Sequence, residues 1–260
     1  MKSFCFTVDD NIRFLKELTN GQYASIFEHP YLAMYNRLHK KYGVKVQLNL
    51  FYEMNDFDLS MMPSKYSSEW QKNAYWLKMS FHSRKENVLP YQTSSYDEIY
   101  EDCLRVQNEI LRFAAKDSLA LTTTVHYCQC TKAGVKALAD NGVRGLLGLF
   151  GDSISPKSSY SLTEEIACEI RKGGMLSFEN MWYSAIDIIL NLYTLEEIQS
   201  RLSMFLEKHF VKIMIHEQYF YCDYKAYQEN FEKKVELAVK ILKSAGFESV
   251  FFENVIQRRM

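Results

Sequence analysis

Four apolar, strand-like segments of this chain end in carboxylate or imidazole side chains. The segments and the residues after them are Phe4–Val8 before Asp9 and Asp10, Trp76–Phe81 before His82, Leu119–Val125 before His126, and Val211–Ile215 before His216 and Glu217. If the strands form a parallel β/α barrel, their carboxyl ends lie at one mouth, where such enzymes keep their catalytic residues. Because carboxylates and imidazoles are common ligands of divalent metals, this pattern predicts a metal site at that mouth.

Short β-rich segments alternate with longer amphipathic segments, which is the pattern of βα units that build a parallel sheet. We predict strands at 3–8, 45–52, 76–82, 119–126, 143–150, 175–179, 211–216 and 249–252. We predict helices at 11–19, 30–42, 64–74, 95–116, 131–141, 161–172, 194–209 and 223–245. The fold class is therefore α/β, a TIM-like and distorted (β/α) barrel of seven or eight parallel strands, in one domain over residues 1–260. An open doubly wound sheet would give the same pattern, so closure is an inference.

Residues with known capping preferences stand at several predicted helix ends. Ser95 and Thr194 are each followed by glutamate three residues later, and Thr131 precedes another helical segment. These are arrangements typical of helix N-caps. Glycine, which left-handed C-caps favour, follows three predicted helices, as Gly43, Gly142 and Gly246.

Charge and apolar content exclude several classes of partner. The chain has 31 Lys and Arg against 32 Asp and Glu, so its net charge of −1 gives no field for capturing nucleic acid or an anionic membrane. No segment approaches the roughly 18 uncharged residues of a membrane span, and the first ten residues leave no room for a secretory signal. We therefore expect a cytoplasmic protein with reduced cysteines that binds neither nucleic acid nor membrane. Its oligomeric state is left open.

Residues 6–10, Phe-Thr-Val-Asp-Asp, resemble the first motif of the polysaccharide deacetylases, the chitooligosaccharide deacetylase homology family. That motif is a strand ending in Thr-Phe-Asp-Asp, and Val8 stands here in place of Phe. The resemblance implies that Asp9 is the general base for a metal-bound water and that Asp10 is a metal ligand. Ligation would neutralise one carboxylate, while the other keeps a basic lone pair beside the water. A structural alternative is that both residues cap the helix predicted from Asn11.

The family's second motif is His-Ser/Thr-x-x-His, and residues 82–86 read His-Ser-Arg-Lys-Glu. By resemblance His82 is a metal ligand, and Glu86 occupies the place of the second histidine. The implied site consists of Asp10, His82 and Glu86, with His126, near the start of the third motif, as an alternative third ligand. Such a site suits Zn²⁺ first, with Mn²⁺, Co²⁺ or Fe²⁺ as alternatives. Glu86 could also belong to a solvated charge cluster with the two residues before it.

Residues 213–216, Ile-Met-Ile-His, resemble the family's late Leu-x-x-His motif. The resemblance implies that His216 is the general acid that protonates the leaving amine or alcohol, a task that suits an imidazole pKa of about 6.5. A hydrogen-bonded core histidine is the alternative. The family's middle motifs, Arg-Pro and Asp-x-x-Asp-Trp, are absent, so the sequence does not identify the residue that orients Asp9.

Together these motifs predict a metal-dependent hydrolase that removes an acyl group, such as acetyl, from an N- or O-acylated sugar. Two other functions stay open. One is a barrel that has lost turnover and binds carbohydrate or protein, and the other is a glycosidase that uses Glu179 and Glu217 as a carboxylate pair. A zinc site of the form His-x-Cys-x-Cys at His126, Cys128 and Cys130 is also conceivable, although the spacing is a weak signal.

Overall fold

The computed structural model describes residues 2–86, 91–151 and 159–259. Its strands are β1 (Ser3–Asn11), β2 (Val46–Phe51), β3 (Glu53–Met54), β4 (Phe57–Asp58), β5 (Leu77–Ser83), β6 (Thr122–Thr123), β7 (Gly145–Gly148), β8 (Met175–Phe178), β9 (Met181–Ala185), β10 (Ile188–Ile189), β11 (Phe210–His216) and β12 (Glu248–Ser249). Its helices are α1 (Arg13–Asn20), α2 (Pro30–Tyr42), α3 (Ser67–Asn73), α4 (Tyr96–Phe113), α5 (Lys132–Asp140), α6 (Glu164–Gly173), α7 (Leu195–Ser203), α8 (Phe231–Ser244) and α9 (Phe252–Gln257). Within these ranges, no helix combines the length and the apolar character needed to cross a membrane.

Two sheets form the wall of the fold. The first has the strand order β10-β11-β1-β2-β5, and all its pairings are parallel. The second has the order β6-β7-β9-β8, in which β6, β7 and β9 run parallel and β8 is antiparallel to β9. The short strand β12 pairs with the start of β1. The predicted alternation of parallel strands and helices is therefore present.

Hydrogen bonds join the two sheets on both sides. On one side, the Ala120 N–H donates to the Met79 carbonyl of β5 at 2.8 Å, just before β6 begins. On the other side, the chain between β9 and β10 changes its partner: the Ile186 N–H bonds to β7 and the Asp187 N–H bonds to β11, both at 2.9 Å. Strands β1, β2, β5, β6, β7, β9 with β10, and β11 thus follow one another around the wall. This is a distorted barrel of the predicted class.

Three of the eight predicted strands need correction. The segment 119–126 is a strand only at β6 (Thr122–Thr123), and His126 begins a helical turn. The segment 175–179 holds β8, which is antiparallel, and the parallel place in the wall is taken by β9, which the sequence analysis missed. Glu179 and Asn180 form the exposed tip of the β8–β9 hairpin with φ of 48° and 63°, the left-handed conformation that tight hairpin turns require. The segment 249–252 contains only the end of β12 before α9 begins.

The predicted capping residues are confirmed. Ser95 and Thr194 both form capping boxes with the glutamate three residues later, and the Thr131 hydroxyl accepts a hydrogen bond from the Gly134 N–H. Gly43 ends α2 with φ of 66°, and its N–H donates to the His39 carbonyl. These local signals explain why the predicted helices overlap the observed ones. The predicted bounds are wrong at the start of α8, which begins at Phe231 and not at 223, and at the end of α7, which ends at Ser203 and not at 209.

Polar side chains face the interior of the barrel below its mouth. In β2, Gln47 and Asn49 alternate with apolar residues and are buried. The Gln47 side chain donates to the Thr122 carbonyl of β6 at 2.7 Å, although β5 lies between β2 and β6 in the wall. The polar face of β2 therefore points inward, and its apolar residues belong to the main hydrophobic core, as Val46, Leu48 and Leu50.

Candidate metal centre

The carboxylates of Asp9 and Asp10 approach the same point because β1 is irregular at its end. Successive residues of a regular strand point to opposite faces. Here the register against β2 shifts between Val8 and Asn11, and Asp10 has φ of 62°. As a result, Asp9 Oδ2 lies 4.0 Å from His82 Nδ1 and Asp10 Oδ1 lies 3.0 Å from His82 Nε2. A non-glycine residue in this conformation costs about 1–3 kcal/mol, and such residues cluster at functional sites.

Two buried histidines complete a group of three with Asp10. His82 lies near the end of β5, and His126 begins the single helical turn that follows β6. His82 Nε2 is 3.1 Å from His126 Nδ1, and His126 Nδ1 is 3.3 Å from Asp10 Oδ1. Across the described ranges, this is the group of histidine, cysteine and acidic side chains whose ligand atoms lie close enough to hold one metal ion.

Backbone carbonyls determine which nitrogen of each histidine faces Asp10. His82 Nδ1 donates to the Thr124 carbonyl at 2.5 Å, and His126 Nε2 donates to the Glu86 carbonyl at 3.0 Å. A neutral imidazole carries one N–H, so the other nitrogen of each ring presents a lone pair toward Asp10. Metal-binding histidines commonly have this second contact, which fixes the tautomer and the orientation of the ring.

The spacing of the three ligand atoms fits a divalent ion. Asp10 Oδ1, His82 Nε2 and His126 Nδ1 are separated by 3.0 to 3.3 Å, and three lone pairs so close repel one another unless a positive charge lies between them. Ligand atoms about 2.0–2.2 Å from an ion are about 2.8–3.6 Å apart in octahedral or tetrahedral geometry. One carboxylate and two imidazoles could therefore hold a divalent ion and would leave coordination positions for further ligands.

The pKa values of Asp10 and His82 favour the forms that bind metal. Burial alone would raise the pKa of Asp10, but the imidazoles of His126 and His82, which donate to Asp10 when they are protonated, hold that pKa well below its ordinary value. Burial lowers the pKa of His82, although Asp10 stabilises the protonated ring and opposes the shift. At neutral pH Asp10 is therefore ionised and His82 is uncharged, as ligation requires.

Asp9 lies beside the three candidate ligands, and its carboxylate has a separate hydrogen-bond partner. Its Oδ1 accepts a hydrogen bond from the Asn49 amide at 2.7 Å, and Asn49 in turn accepts one from Gln47 at 2.8 Å. Burial and the adjacent charge of Asp10 raise the pKa of Asp9 well above its ordinary value, while the bond from Asn49 opposes this shift. Asn49 is thus the orienting partner of Asp9 that the sequence left open. A raised pKa makes the carboxylate a stronger base.

His216 lies at the end of β11, opposite Asp9 in the register of the two strands. Its Nδ1 donates to Asn191 Oδ1 at 2.9 Å, and its backbone N–H donates to the same oxygen at 3.2 Å. This contact fixes the tautomer and leaves Nε2 for proton exchange. Burial lowers the pKa of His216, and the charge of Asp10 opposes the shift.

One cavity of about 610 Å³ brings these groups together. The predicted site residues that line it are Asp9, Asp10, His82, Glu86, His126 and His216. Its wall also includes Tyr127 and Leu192, whose surfaces are 59% and 48% exposed. An adjoining cavity of about 650 Å³ shares part of the same wall, at Asp10, Glu86, Gln218 and Tyr224. The size and the convergent polar groups are those of a small-molecule site.

The structure places His126, and not the Glu86 side chain, within the three-residue group of Asp10 and His82. The Glu86 side chain is exposed and is absent from the three-residue group, and its contact with the site is made by its backbone carbonyl. Glu86 follows the end of β5 by three residues and lies beyond the barrel mouth. His126 follows β6, which is the neighbour of β5 in the wall, so it lies directly beside His82.

The two carboxylates that the glycosidase alternative requires, Glu217 and Glu179, do not lie together in the candidate site. Glu217 is buried, and both its oxygens accept hydrogen bonds from the backbone N–H groups of residues 12–14 at 2.7 to 2.9 Å. Glu179 lies at the exposed tip of the β8–β9 hairpin. Neither lines the cavity of about 610 Å³. The interpretation of Asp9 and Asp10 as a helix cap is wrong, because Glu217 occupies that position on α1.

The two cysteines after His126 do not join the ligand group. Tyr127 and Cys128 have φ of 58° and 56°, so the strand alternation that would align the thiols with His126 is broken. Burial raises the pKa of Cys130 to about 12. A thiol that stays protonated at neutral pH is a poor metal ligand.

Three amide side chains that were not predicted from the sequence contact the site. Asn49 and Asn191 hold Asp9 and His216, and the Gln218 amide donates to Asp10 Oδ2 at 2.7 Å. The alternation Val-Gln-Leu-Asn-Leu in β2 was a signal for Asn49, because it places polar residues on one face of a buried strand. Gln218 follows the His216 motif by two residues, whereas Asn191 gives no signal in the sequence.

Comparisons with known proteins concern the fold. No family model matches the sequence, and no curated protein matches it. The 4-α-glucanotransferase of Thermococcus litoralis is similar with a TM-score of 0.65 and 10% identity, over 99% of this chain and 40% of the other. A peptidoglycan N-acetylglucosamine deacetylase is similar with a TM-score of 0.50 and 12% identity, over 97% and 86%. A family 4 acetyl xylan esterase from Clostridium thermocellum, solved with cobalt, has 14% identity over 98% and 91%, with a TM-score of 0.49.

At 10% and 12% identity, the similarities to the glucanotransferase and to the peptidoglycan deacetylase show a shared fold and nothing finer. A fold can host many activities, so the function has to be derived from the site. The predicted α/β barrel class is confirmed. The chain shares its fold with both the glucanotransferase and the peptidoglycan deacetylase.

Proposed function

We propose that this protein is a metal-dependent deacylase that removes an acyl group from an acylated sugar. The observation that carries this proposal is the convergence of Asp10, His82 and His126 in a cavity that Asp9 and His216 also line. Zn²⁺ is the proposed ion, with Mn²⁺, Co²⁺ or Fe²⁺ as alternatives, because all four accept carboxylate and imidazole ligands. The shared fold with a peptidoglycan N-acetylglucosamine deacetylase supports a carbohydrate substrate.

A divalent ion held by the three ligands would supply Lewis-acid polarisation of the acyl carbonyl and of a water molecule. Asp9 is the base that accepts the proton of the attacking water. Asn49 holds Asp9 Oδ1, which leaves Oδ2 for this proton. Because burial and the charge of Asp10 raise the pKa of Asp9, its carboxylate takes the proton more readily than an exposed aspartate would.

His216 is the acid that protonates the leaving amine or alcohol through Nε2. Asn191 accepts the hydrogen bond from Nδ1 and so keeps Nε2 turned away from the protein backbone. Because burial lowers the pKa of His216, its protonated form is a stronger acid than an exposed imidazolium. Asp9 and His216 stand on paired positions of β1 and β11, so base and acid lie on adjacent strands at the same level of the barrel.

The other two functions have weaker support. A glycosidase needs two carboxylates flanking the scissile bond, and Glu217 has both oxygens committed to backbone N–H groups while Glu179 is exposed at a hairpin tip. A barrel that binds carbohydrate without turnover has the same fold and the same cavity. An assay of acyl release separates that function from the proposed one.

The test is acetate release by the metal-loaded protein from a panel of N-acetylated and O-acetylated sugars. We expect turnover by the wild type, and we expect Asp9→Asn and His216→Ala each to lower kcat by about 10²–10⁴-fold. Both variants should keep a full metal content, because neither residue belongs to the ligand group. Glu179→Gln, at the exposed hairpin tip, is the matched control and should keep the wild-type rate.

Two results would contradict this proposal. Binding of acylated sugars by the metal-loaded wild type without any acetate release would indicate the binding module instead. Wild-type rates in both Asp9→Asn and His216→Ala would remove the assigned base and acid, even if acetate were released.

A further inference from the structure

Asp10 is held at both of its carboxylate oxygens. Oδ1 faces the two histidines, and Oδ2 accepts a hydrogen bond from Gln218 Nε2 at 2.7 Å. Gln218 belongs to the helical turn Glu217–Phe220 that directly follows β11. Its neighbour Glu217 is anchored by the backbone N–H groups of residues 12–14. The base of the Gln218 side chain is therefore fixed relative to the end of β1.

The charge on Asp10 determines the orientation of the Gln218 amide. If the amide were rotated by a half turn, its carbonyl oxygen would face the ionised carboxylate, and two acceptors would lie in contact. In the observed orientation, Gln218 Oε1 is buried and has no hydrogen-bond partner among the described residues. An unpaired buried acceptor is unfavourable. The hydrogen bond to Asp10 therefore holds the Gln218 side chain in this orientation, although its Oε1 is left without a hydrogen bond.

The conformation of Asp10 makes such a contact important. Its backbone has φ of 62° at the bulge of β1, so the strand ladder does not fix the side chain as it would in regular structure. Gln218 is the residue whose side chain donates to Oδ2. Without that bond, the carboxylate could turn about its last bond and move Oδ1 away from the histidines. A ligand that is not held in position binds metal more weakly.

We propose that Gln218 is a positioning residue that sets the carboxylate of Asp10 for metal binding. This inference rests on the metal site of the proposed function and adds a residue that is not itself a ligand. Gln218 acts through Asp10 and does not contact the ion. Its effect is therefore expected first in metal affinity and in the geometry of the ligand field.

The test compares Gln218→Met with the wild type by titrating the chelator-treated protein with Co²⁺. Methionine keeps the length of the side chain and removes the donor. We expect the dissociation constant for Co²⁺ to rise by about 10- to 100-fold, the usual effect of removing an outer partner of a ligand. The visible absorption of the Co²⁺-loaded variant should also change in intensity, because the carboxylate takes up a different geometry. Gln218→Leu provides the same loss if the methionine variant does not fold.

Gln228→Met is the matched control. The side-chain amide of Gln228 also donates a hydrogen bond, but it donates to the backbone carbonyl of Asn191 at 2.8 Å and not to Asp10. The control should therefore keep the wild-type affinity for Co²⁺. Equal Co²⁺ affinity and equal spectra in Gln218→Met and the wild type would overturn the inference while leaving the metal site intact. If the wild type itself failed to bind Co²⁺, the proposed function would fail instead.

Discussion

Asp10 and Glu217 are buried carboxylates at the ends of the neighbouring strands β1 and β11, yet their surroundings give them opposite uses. Three backbone N–H groups at the start of α1 satisfy the oxygens of Glu217. Asp10 instead directs Oδ1 at one nitrogen of each of two imidazoles, and the other nitrogen of each ring donates to a backbone carbonyl. Donors satisfy both oxygens of Glu217, whereas Asp10 receives a donor only at Oδ2, from Gln218, and its Oδ1 faces acceptors.

This difference shows how a strand that ends in an acid becomes either structural or functional. A carboxylate that receives backbone donors stabilises the fold and has no remaining capacity for a ligand. A carboxylate oxygen that faces lone pairs is unfavourable until a cation lies between them, so such an oxygen is suited to binding a metal ion. Both residues follow an apolar strand in the sequence, and only their partners separate the two roles.

The largest expected effect on stability comes from removing Glu217. Glu217→Ala leaves the first N–H groups of α1 without their acceptor in a buried environment, so the free energy of unfolding should fall by about 3–5 kcal/mol. The measurement is urea denaturation of the chelator-treated protein at pH 5. At saturating ion the folded variant should still hold a full metal content, because Glu217 is not a ligand.

Glu207→Ala is the control for this change, since the Glu207 side chain is 97% exposed and its removal should leave stability nearly unchanged. The comparison of the two acids would break down if Glu217→Ala were as stable as Glu207→Ala. It would also break down if the folded Glu217→Ala protein bound no metal at any concentration.

A smaller effect is expected in the dependence of stability on pH. Burial raises the pKa of Glu217 from 4.5 to about 7, although the backbone hydrogen bonds oppose the shift. The folded state thus keeps the proton of Glu217 over a range in which the unfolded chain has lost it. The stabilisation is complete below about pH 4.5 and is lost as the pH rises through 7, and it amounts to about 3 kcal/mol.

Glu217→Gln is neutral at every pH and isolates this contribution. The unfolding free energies of the wild type and Glu217→Gln are measured by urea denaturation from pH 4.5 to 8. The value for the wild type minus the value for Glu217→Gln should decrease as the pH rises. Other buried acids contribute equally to both proteins and cancel in the difference. A difference that stays constant over this range would show that Glu217 does not titrate there.

Much of the barrel could be predicted because local signals and hydrophobic pattern agree in β1, β2, β5 and β11. The failure at β8 has a physical cause. The tip at Glu179 and Asn180 connects two segments of similar apolar character, and the pattern alone does not show which of them enters the parallel wall. The left-handed φ of Asn180 belongs to a hairpin turn, and asparagine at such a place was the available signal.

The site could be predicted where strand ends carry ionisable residues, as at Asp10 and His82. The choice between Glu86 and His126 could not, because motif spacing measures distance along the chain, while β6 places His126 beside His82 in space. Asn191 and Gln218 were missed for a related reason. Their partners lie far away in sequence, and an amide carries no motif that identifies the ion or base it will orient.

The most direct test of the central claim is the metal content of the purified protein, measured by elemental analysis. Wild-type protein dialysed with Zn²⁺ and then against buffer should keep one equivalent, and Asp10→Asn, which retains the volume of the side chain but loses the charge, should keep almost none. Glu207→Gln, at a side chain that is 97% exposed and outside the site, should match the wild type. Wild-type protein without metal, or equal metal in Asp10→Asn, would contradict the claim that Asp10, His82 and His126 share one ion.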